Sequence, residues 1–236
     1  MLRLVTAGVL MLTLGAGAGA GEETAKPAAA KVPAPQATAG PQVAVLETTT
    51  GKIVIKLAEA DAPKTCGNFR KLVRDKFYDG TCFHRVIRSF MIQGGDPNSK
   101  DADASNDGVG GPGYTVPAEI KLKHIRGAVA TARQGDQGNP TRASSGSQFF
   151  INVADLASLD AGGYTVFGQV ISGMDAVDKI VAFSDDSSLP ASAGGGRNPG
   201  KKAQIVKAYL EPLSKWEKPA TPAGGKSAAA KPDSAK

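Results

Sequence analysis

The 236-residue chain is poor in the residues from which most reactive sites are built: two cysteines, two histidines, one tryptophan and a 6% aromatic share. Cys66 and Cys82 form no CxxC, and His84 and His124 form no HxxxH, so their spacing offers neither a metal site nor a redox motif. No cofactor is expected. Whether the two thiols are buried as small hydrophobes or joined in an oxidising compartment stays open. The basic excess is slight, 28 Lys+Arg against 22 Asp+Glu for a formal charge of +6. Several of those lysines lie near the chain ends, and there is neither a helix face of Lys/Arg nor an interleaved aromatic platform, which excludes a nucleic-acid surface. Residues 21–41 and 219–236 contain no aromatic residue and almost no branched aliphatic one. Neither can bury enough surface to offset its ordering entropy, so a disordered Ala/Pro/Lys linker and a disordered Ala/Lys/Pro tail are expected.

Long apolar runs are also missing beyond the first 20 residues. The start has a single Arg3, an apolar run from Leu4 to Leu14 and small residues up to Ala18-Gly19-Ala20. That layout reads as a secretory signal peptide, residues 1–20, and the run is too short to span a bilayer. No cysteine follows it to take a lipid. The mature chain is therefore expected to be periplasmic or secreted, without an integral membrane segment, and to fold residues 42–218 around one core.

From Val43 the pattern becomes regular. Val43 to Thr49 and Lys52 to Leu57 read as two strands joined at Thr50-Gly51. The stretch Ala62 to Tyr78 has Pro63 early and apolar Cys66, Phe69, Leu72, Val73 and Phe77 at helical spacing, which predicts one amphipathic helix. Short apolar runs with turn chemistry between them follow: CFHRVI, FMIQGG, GAVATA, QFFINV and TVFGQVI. Met174 to Val181 is a second helical pattern, with Val177, Ile180 and Val181 on one face, and Ala203 to Leu210 closes the chain as a strand. Seven or eight short strands with two helices point to a mainly β fold, a closed antiparallel barrel or a sandwich.

Three motifs fail in context. Gly108 to Gly113 matches GxGxxG, but no strand precedes it and no helix follows directly, so it is a loop. Asp101, Asp103, Ser105 and Asp107 imitate a calcium loop that breaks at Asn106 and Pro112. Asn139-Pro140-Thr141 has proline at the position that forbids glycosylation.

What remains is Arg85, Phe90, Met91 and Gln93, close together on two neighbouring strands. Strand alternation would put Phe83, Arg85 and Ile87 on one face, with His84 and Val86 on the other. By residue type alone, the plainer reading is a surface arginine beside a Phe and a Met of the core. An arginine turned toward an apolar side must be paired or working.

The string Phe83 to Asp96, FHRVIRSFMIQGGD, resembles the signature of the cyclophilins, the peptidyl-prolyl cis-trans isomerases. Ser145 to Ile151, GSQFFI within it, and Val166 to Val170 resemble two further family segments in the same order. The leader and the loop Gly113 to Pro117 are similar to those of bacterial periplasmic members. The resemblance implies a closed eight-stranded antiparallel β-barrel capped by two α-helices. It implies isomerisation of X–Pro bonds in proline-containing polypeptides, by a monomer with neither metal nor cofactor. It assigns Arg85, Gln93 and Phe90 to catalysis: Arg85 donates to the twisted amide, Gln93 holds Arg85, and Phe90 lines the proline socket. Met91, Phe150 and Leu159 share that socket. Ala132, Arg133 and Gln148 line the substrate groove, and Tyr164 stands where many members have His. His84 is left open between substrate contact and a structural role on the far face.

The chain also departs from the family. Ser158 replaces a frequent Trp, which implies weak cyclosporin binding with turnover less affected. Thr131 replaces a common Met, and Arg133 a common Asn at a position that works through its main chain. The loop from Gln134 to Ser145 is variable. Two functions follow, an isomerase for exported proteins, or a catalytically weak chaperone module holding proline-containing segments in the same groove.

Overall fold

The computed structural model describes residues 40–217. The leader at 1–20, all of the 21–41 linker but Gly40 and Pro41, Lys218 and the 219–236 tail lie outside the described residues.

The first hairpin pairs β1 (Gln42–Thr48) with β2 (Gly51–Leu57). Its apolar residues do not alternate with polar ones because both faces are covered. Ala44, Leu46, Ile53 and Ile55 enter the main core, while Val43, Val45 and Val54 pack under Leu213, Tyr209 and Trp216. Helix α1 (Pro63–Arg74) follows, its apolar face of Cys66, Phe69, Leu72 and Val73 buried in that core. Its free amides at Lys64 and Thr65 donate to the Glu119 carboxylate, at 3.1 and 2.9 Å, so a distant loop caps the helix.

The helix stops earlier than its apolar pattern predicts. Lys76 takes φ 56° and donates its amide to Val73 O, while Phe77 N reaches back to Leu72 O at 2.9 Å. This is a Schellman stop built without glycine, which is why the sequence hid it. Phe77 still packs on the core, from a turn.

The remaining strands are β3 (Arg85–Ile87), β4 (Met91–Gly94), β5 (Thr115–Val116), β6 (Ala128–Thr131), β7 (Ser144–Ser145), β8 (Phe149–Asn152), β9 (Val166–Ser172) and β10 (Ile205–Pro212). Eight of the ten strands form one sheet in the order β10-β1-β2-β9-β6-β8-β4-β3, antiparallel at every pairing, and β5 and β7 make a small second ladder. The end strands β3 and β10 do not pair with each other. The residues just before them, together with the first residue of β10, complete the wall: Cys82 bridges Gln204, Phe83 N donates to Ala203 O, and Ile205 N donates to Thr81 O, both at 2.8 Å. Turns at Tyr78 to Thr81 prevent a longer strand there.

Helix α3 (Met174–Val181) buries Ala176, Val177 and Ile180 in the main core, with Val181 packed beside them. It starts at Gly173, φ 93°, where a Cβ would lie 1.9 Å from Lys52 O, so only glycine fits. A third helix, the single turn α2 (Ala157–Ala161), carries no apolar periodicity that would mark it in the sequence.

The alternation expected around Arg85 starts later than predicted. The strand begins at Arg85 itself, and Phe83 is fully buried in the main core together with Val86. Arg85 and Ile87 face the other way, toward a second, smaller cluster. Strand β8 divides similarly, with Phe149 and Ile151 in the main core and Phe150 in the second cluster. Both cysteines are free thiols, each buried. Cys66 donates to Phe167 O at 3.3 Å and burial pushes its thiol pKa far up, while burial pushes that of Cys82 up to about 11. Neither is a ready nucleophile.

Candidate active site

The second cluster opens to the surface as a hollow of about 120 Å³, lined by Arg85, Phe90, Met91, Gln93, Ala132, Arg133, Phe150, Leu159 and Tyr164. Adjacent strands supply most of it. Met91 and Gln93 project from the same face of β4, and Phe150 is the register partner of Gln93 on β8. Phe90 sits in the turn entering β4, where Phe90 N donates to Ile87 O at 3.2 Å. Leu159 comes from α2, and the rings of Phe150 and Tyr164 meet edge to face, their centroids 5.7 Å apart. The result is an apolar socket with two arginines at its rim, Arg133, which is paired with Asp136, and one cation that has no carboxylate partner among the described residues.

That cation is half-buried Arg85, directly opposite Gln93 in the β3–β4 register. Its Nη1 donates to Gln93 Oε1 at 3.2 Å, its Nη2 to Gly194 O at 2.7 Å and its Nε to Gly195 O at 3.2 Å. Burial lowers the guanidinium pKa, but from so high a starting point that the group stays cationic. Of its five N–H groups three are engaged, leaving one on each terminal nitrogen.

The hydrogen bonds continue in one direction. Gln93 Nε2 donates to Gln148 Oε1 at 2.9 Å, and Gln148 Nε2 donates to Gly108 O and Gly110 O at 3.0 and 2.8 Å. Each amide has its oxygen toward the donor before it, so the polarisation adds along the chain. The receiving loop is fixed by the fully buried Asp96, which accepts the amides of Gly108 and Gly110 at 2.5 and 3.0 Å. A Cβ on Gly110 would lie 2.1 Å from Asp96 Oδ1, which explains that glycine. The string that imitates GxGxxG therefore anchors the far end of the arginine's support.

Beside the hollow lies a groove of about 780 Å³ that shares Gln93, Ala132 and Arg133 with it. Gly108 to Thr115 and parts of the Gln134–Ser145 loop form its walls. The Arg133 side chain is folded down, its guanidinium 4.9 Å from the Tyr164 ring and paired with Asp136 at 2.7 Å.

The structure thus gathers Arg85, Phe90, Met91, Gln93, Ala132, Arg133, Phe150, Leu159 and Tyr164 at the hollow, with Gln148 behind Gln93 and on the groove. His84 is not among them. It is buried beneath the loop, with Gly108 next to its Nε2, and neither ring nitrogen has a well-oriented hydrogen-bond partner. Ser158 is exposed on α2 and does not line the hollow.

Two supports escaped sequence reasoning. His124 stacks on Phe150, 6.1 Å between centroids, and holds Asp160 of α2 through both its amide and Nδ1, at 2.8 and 2.9 Å. Gly194 and Gly195 hold Arg85 from a loop remote in the chain. Their only sequence signal is the run Gly194-Gly195-Gly196.

A family model described as cyclophilin type peptidyl-prolyl cis-trans isomerase/CLD matches residues 43–209. A probable peptidyl-prolyl cis-trans isomerase of Brucella suis is 42% identical over 173 residues, covering 71% of this chain and 81% of that protein. A peptidyl-prolyl cis-trans isomerase-like 1 of Gibberella zeae is 38% identical over 167 residues, covering 70% and 93%. Among solved structures, a Cryptosporidium parvum cyclophilin type peptidyl-prolyl cis-trans isomerase aligns with a TM-score of 0.59 at 29% identity, over 72% of this chain and 97% of that one. The same protein crystallised in the presence of the dipeptide Ala-Pro aligns with a TM-score of 0.58 at 27% identity, covering 72% and 98%.

Proposed function

The chain belongs to the cyclophilin-type peptidyl-prolyl cis-trans isomerases and catalyses rotation about X–Pro bonds, and from this premise we propose that Arg85 is the group that lowers the rotation barrier. That barrier is about 18–20 kcal/mol because the amide nitrogen lone pair is delocalised into the carbonyl. No bond breaks during rotation. The enzyme has only to favour the twisted amide over both planar forms. In the twisted state the nitrogen turns pyramidal and accepts a hydrogen bond, and a fixed guanidinium beside it is a donor that needs no reorganisation.

The observation that carries the reading is the pairing of an apolar socket with a braced arginine at its rim. Phe90, Met91, Phe150 and Leu159 take the proline ring, Tyr164 closes the socket, and the two unengaged Nη protons of Arg85 meet the amide. Gln93 positions the arginine. Ala132 and Arg133 border the groove where the chain flanking the proline lies, with Gln148 on its floor. His84 acts from behind this surface, as support for the Gly108 loop. The groove is built from one chain, which suits a monomer, and the small, exposed Ser158 makes cyclosporin a weak ligand.

We further propose that the enzyme works on exported proteins in the periplasm or outside the cell, on the strength of Arg3, the Leu4–Leu14 run and Ala18-Gly19-Ala20. Among the described residues no helix is long and apolar enough to cross a membrane. The intact mass of the protein recovered from its native cells should correspond to a chain beginning at Gly21; a chain still carrying residues 1–20 would contradict export by cleavage.

The catalytic assignment is tested by a protease-free exchange assay on an Ala-Pro peptide. Arg85→Ala should lower kcat/KM by about 10²–10³-fold, the cost of removing one preorganised donor. An unchanged exchange rate would leave a groove that binds proline-containing chains without Arg85 chemistry.

A further inference from the structure

Between α3 and β10 the chain makes a loop whose base is the Ala191–Arg197 bridge. Paired hydrogen bonds fasten it to β3, Val86 N to Arg197 O at 2.9 Å and Arg197 N to Val86 O at 3.0 Å. Ser192 Oγ adds a bond to His84 O at 2.6 Å. At the tip, Gly194, Gly195 and Gly196 have φ of 77°, 90° and 90°, backbone that side chains with a Cβ rarely adopt. A Cβ on Gly196 would lie 2.5 Å from both Val86 O and Ile87 Cγ1. Packing against β3 thus accounts for Gly196, but Gly194 and Gly195 are exposed and meet no backbone there, so packing does not account for their conformation, which costs so much backbone entropy.

Their carbonyls do account for it. Gly194 O and Gly195 O take the Nη2 and Nε protons of Arg85, on the guanidinium edge that Gln93 cannot reach. Resting on the assignment of Arg85 as the catalytic donor, we propose that this glycine tip is a positioning clamp that sets the guanidinium plane. None of the three acceptors is a carboxylate, so the arginine is compensated for its partial burial without losing its net charge. An ion pair at the same place would weaken the donor by neutralising it. An arginine held only by Gln93 would pivot about that single bond and would have to be ordered anew in each turnover.

Gly195 is the place to test the clamp, because a Cβ there meets nothing within 4 Å and a substitution acts only through the backbone. In the Ala-Pro exchange assay, Gly195→Val should lower kcat about tenfold with KM little changed, since a small misplacement of a catalytic group costs rate. Gly195→Asn, which tolerates positive φ, should retain most of the rate that Gly195→Val loses. Neither substitution should reduce the residual rate of Arg85→Ala further. The Arg85 Nε proton, followed by ¹⁵N NMR, should be slow to exchange in the unsubstituted protein and fast in Gly195→Val. A Gly195→Val enzyme with full kcat, an equal fractional loss in the Arg85→Ala background, or an Nε proton equally protected in both proteins would each overturn the clamp while leaving the Arg85 assignment standing. Full activity in Arg85→Ala alone would overturn that assignment and the clamp together.

Discussion

Arg85 and Gln93 are register partners on adjacent antiparallel strands, and Nη1 of the first donates to Oε1 of the second at 3.2 Å. A two-strand pairing thus converts a flexible side chain into a fixed one. The geometry depends on the planar fork as well as on the charge, because three acceptors on two sides are reached at once. Arg85→Lys keeps the charge and loses the fork. Its kcat/KM for an Ala-Pro peptide should fall about 10–100-fold, and a near-normal value would show that charge alone suffices.

Gln93 is used at both ends, so replacing it by a residue of similar size isolates its hydrogen bonds. Gln93→Leu leaves Arg85 Nη1 and Gln148 Oε1 without their partners. Orphaned polar groups of this kind cost about 1–3 kcal/mol, and if that cost falls on the ordered arginine, kcat drops about 10–100-fold. Gln93→Glu should not rescue it, because a carboxylate faces Gln148 Oε1 with another acceptor and neutralises Arg85. Steady-state kcat for the two variants checks both statements; a Glu variant as fast as the parent would remove Gln148 from the network.

The strands were legible because Val, Ile and Phe cluster in short runs between turns, and the helical spacing of Cys66, Phe69, Leu72 and Val73 exposed α1. What stayed hidden depends on contacts between distant parts of the chain. The stop of α1 uses Lys76 in a conformation normally marked by glycine. The single turn α2 is held from outside, by His124 on Asp160, and so has no periodicity of its own. Phe83 broke strand alternation because the bridge from Cys82 to Gln204 turns it into the main core. For the site, Arg85, Gln93 and the apolar residues were legible through the family signature, whereas Gly194, Gly195 and His124 serve it only through the folded chain.

Neighbouring residues of β8 separate stability from activity. The ring of Phe149 meets Phe69 and Tyr78 at 5.5 Å and Phe83 at 6.1 Å, all at close to right angles, deep in the main core. Phe149→Ala should cost about 3–5 kcal/mol of stability by denaturant unfolding. Phe150 borders the open hollow, so Phe150→Ala should cost less stability, because the surroundings already have space on one side, but more kcat/KM per folded molecule. The reverse ranking in the two assays would place the proline ring elsewhere.

His84 gives the fold a pH dependence whose sign follows from its burial. Desolvation is the largest influence and lowers its pKa below the ordinary 6.5, against the opposing pull of Asp96 and Asp107. Below pH 6.5 the unfolded chain therefore takes up a proton that the folded chain resists, so stability falls as pH drops from there toward the folded-state pKa and then levels off with respect to this group. The ring lies against Gly108, whose carbonyl holds Gln148, so the same protonation strains the support of the active site. Denaturant midpoints measured at pH 7.5 and at pH 5 should differ in the parent and differ less in His84→Phe, which removes the titration while keeping a ring in the cavity. An equal shift in both proteins would assign the acid sensitivity to other groups.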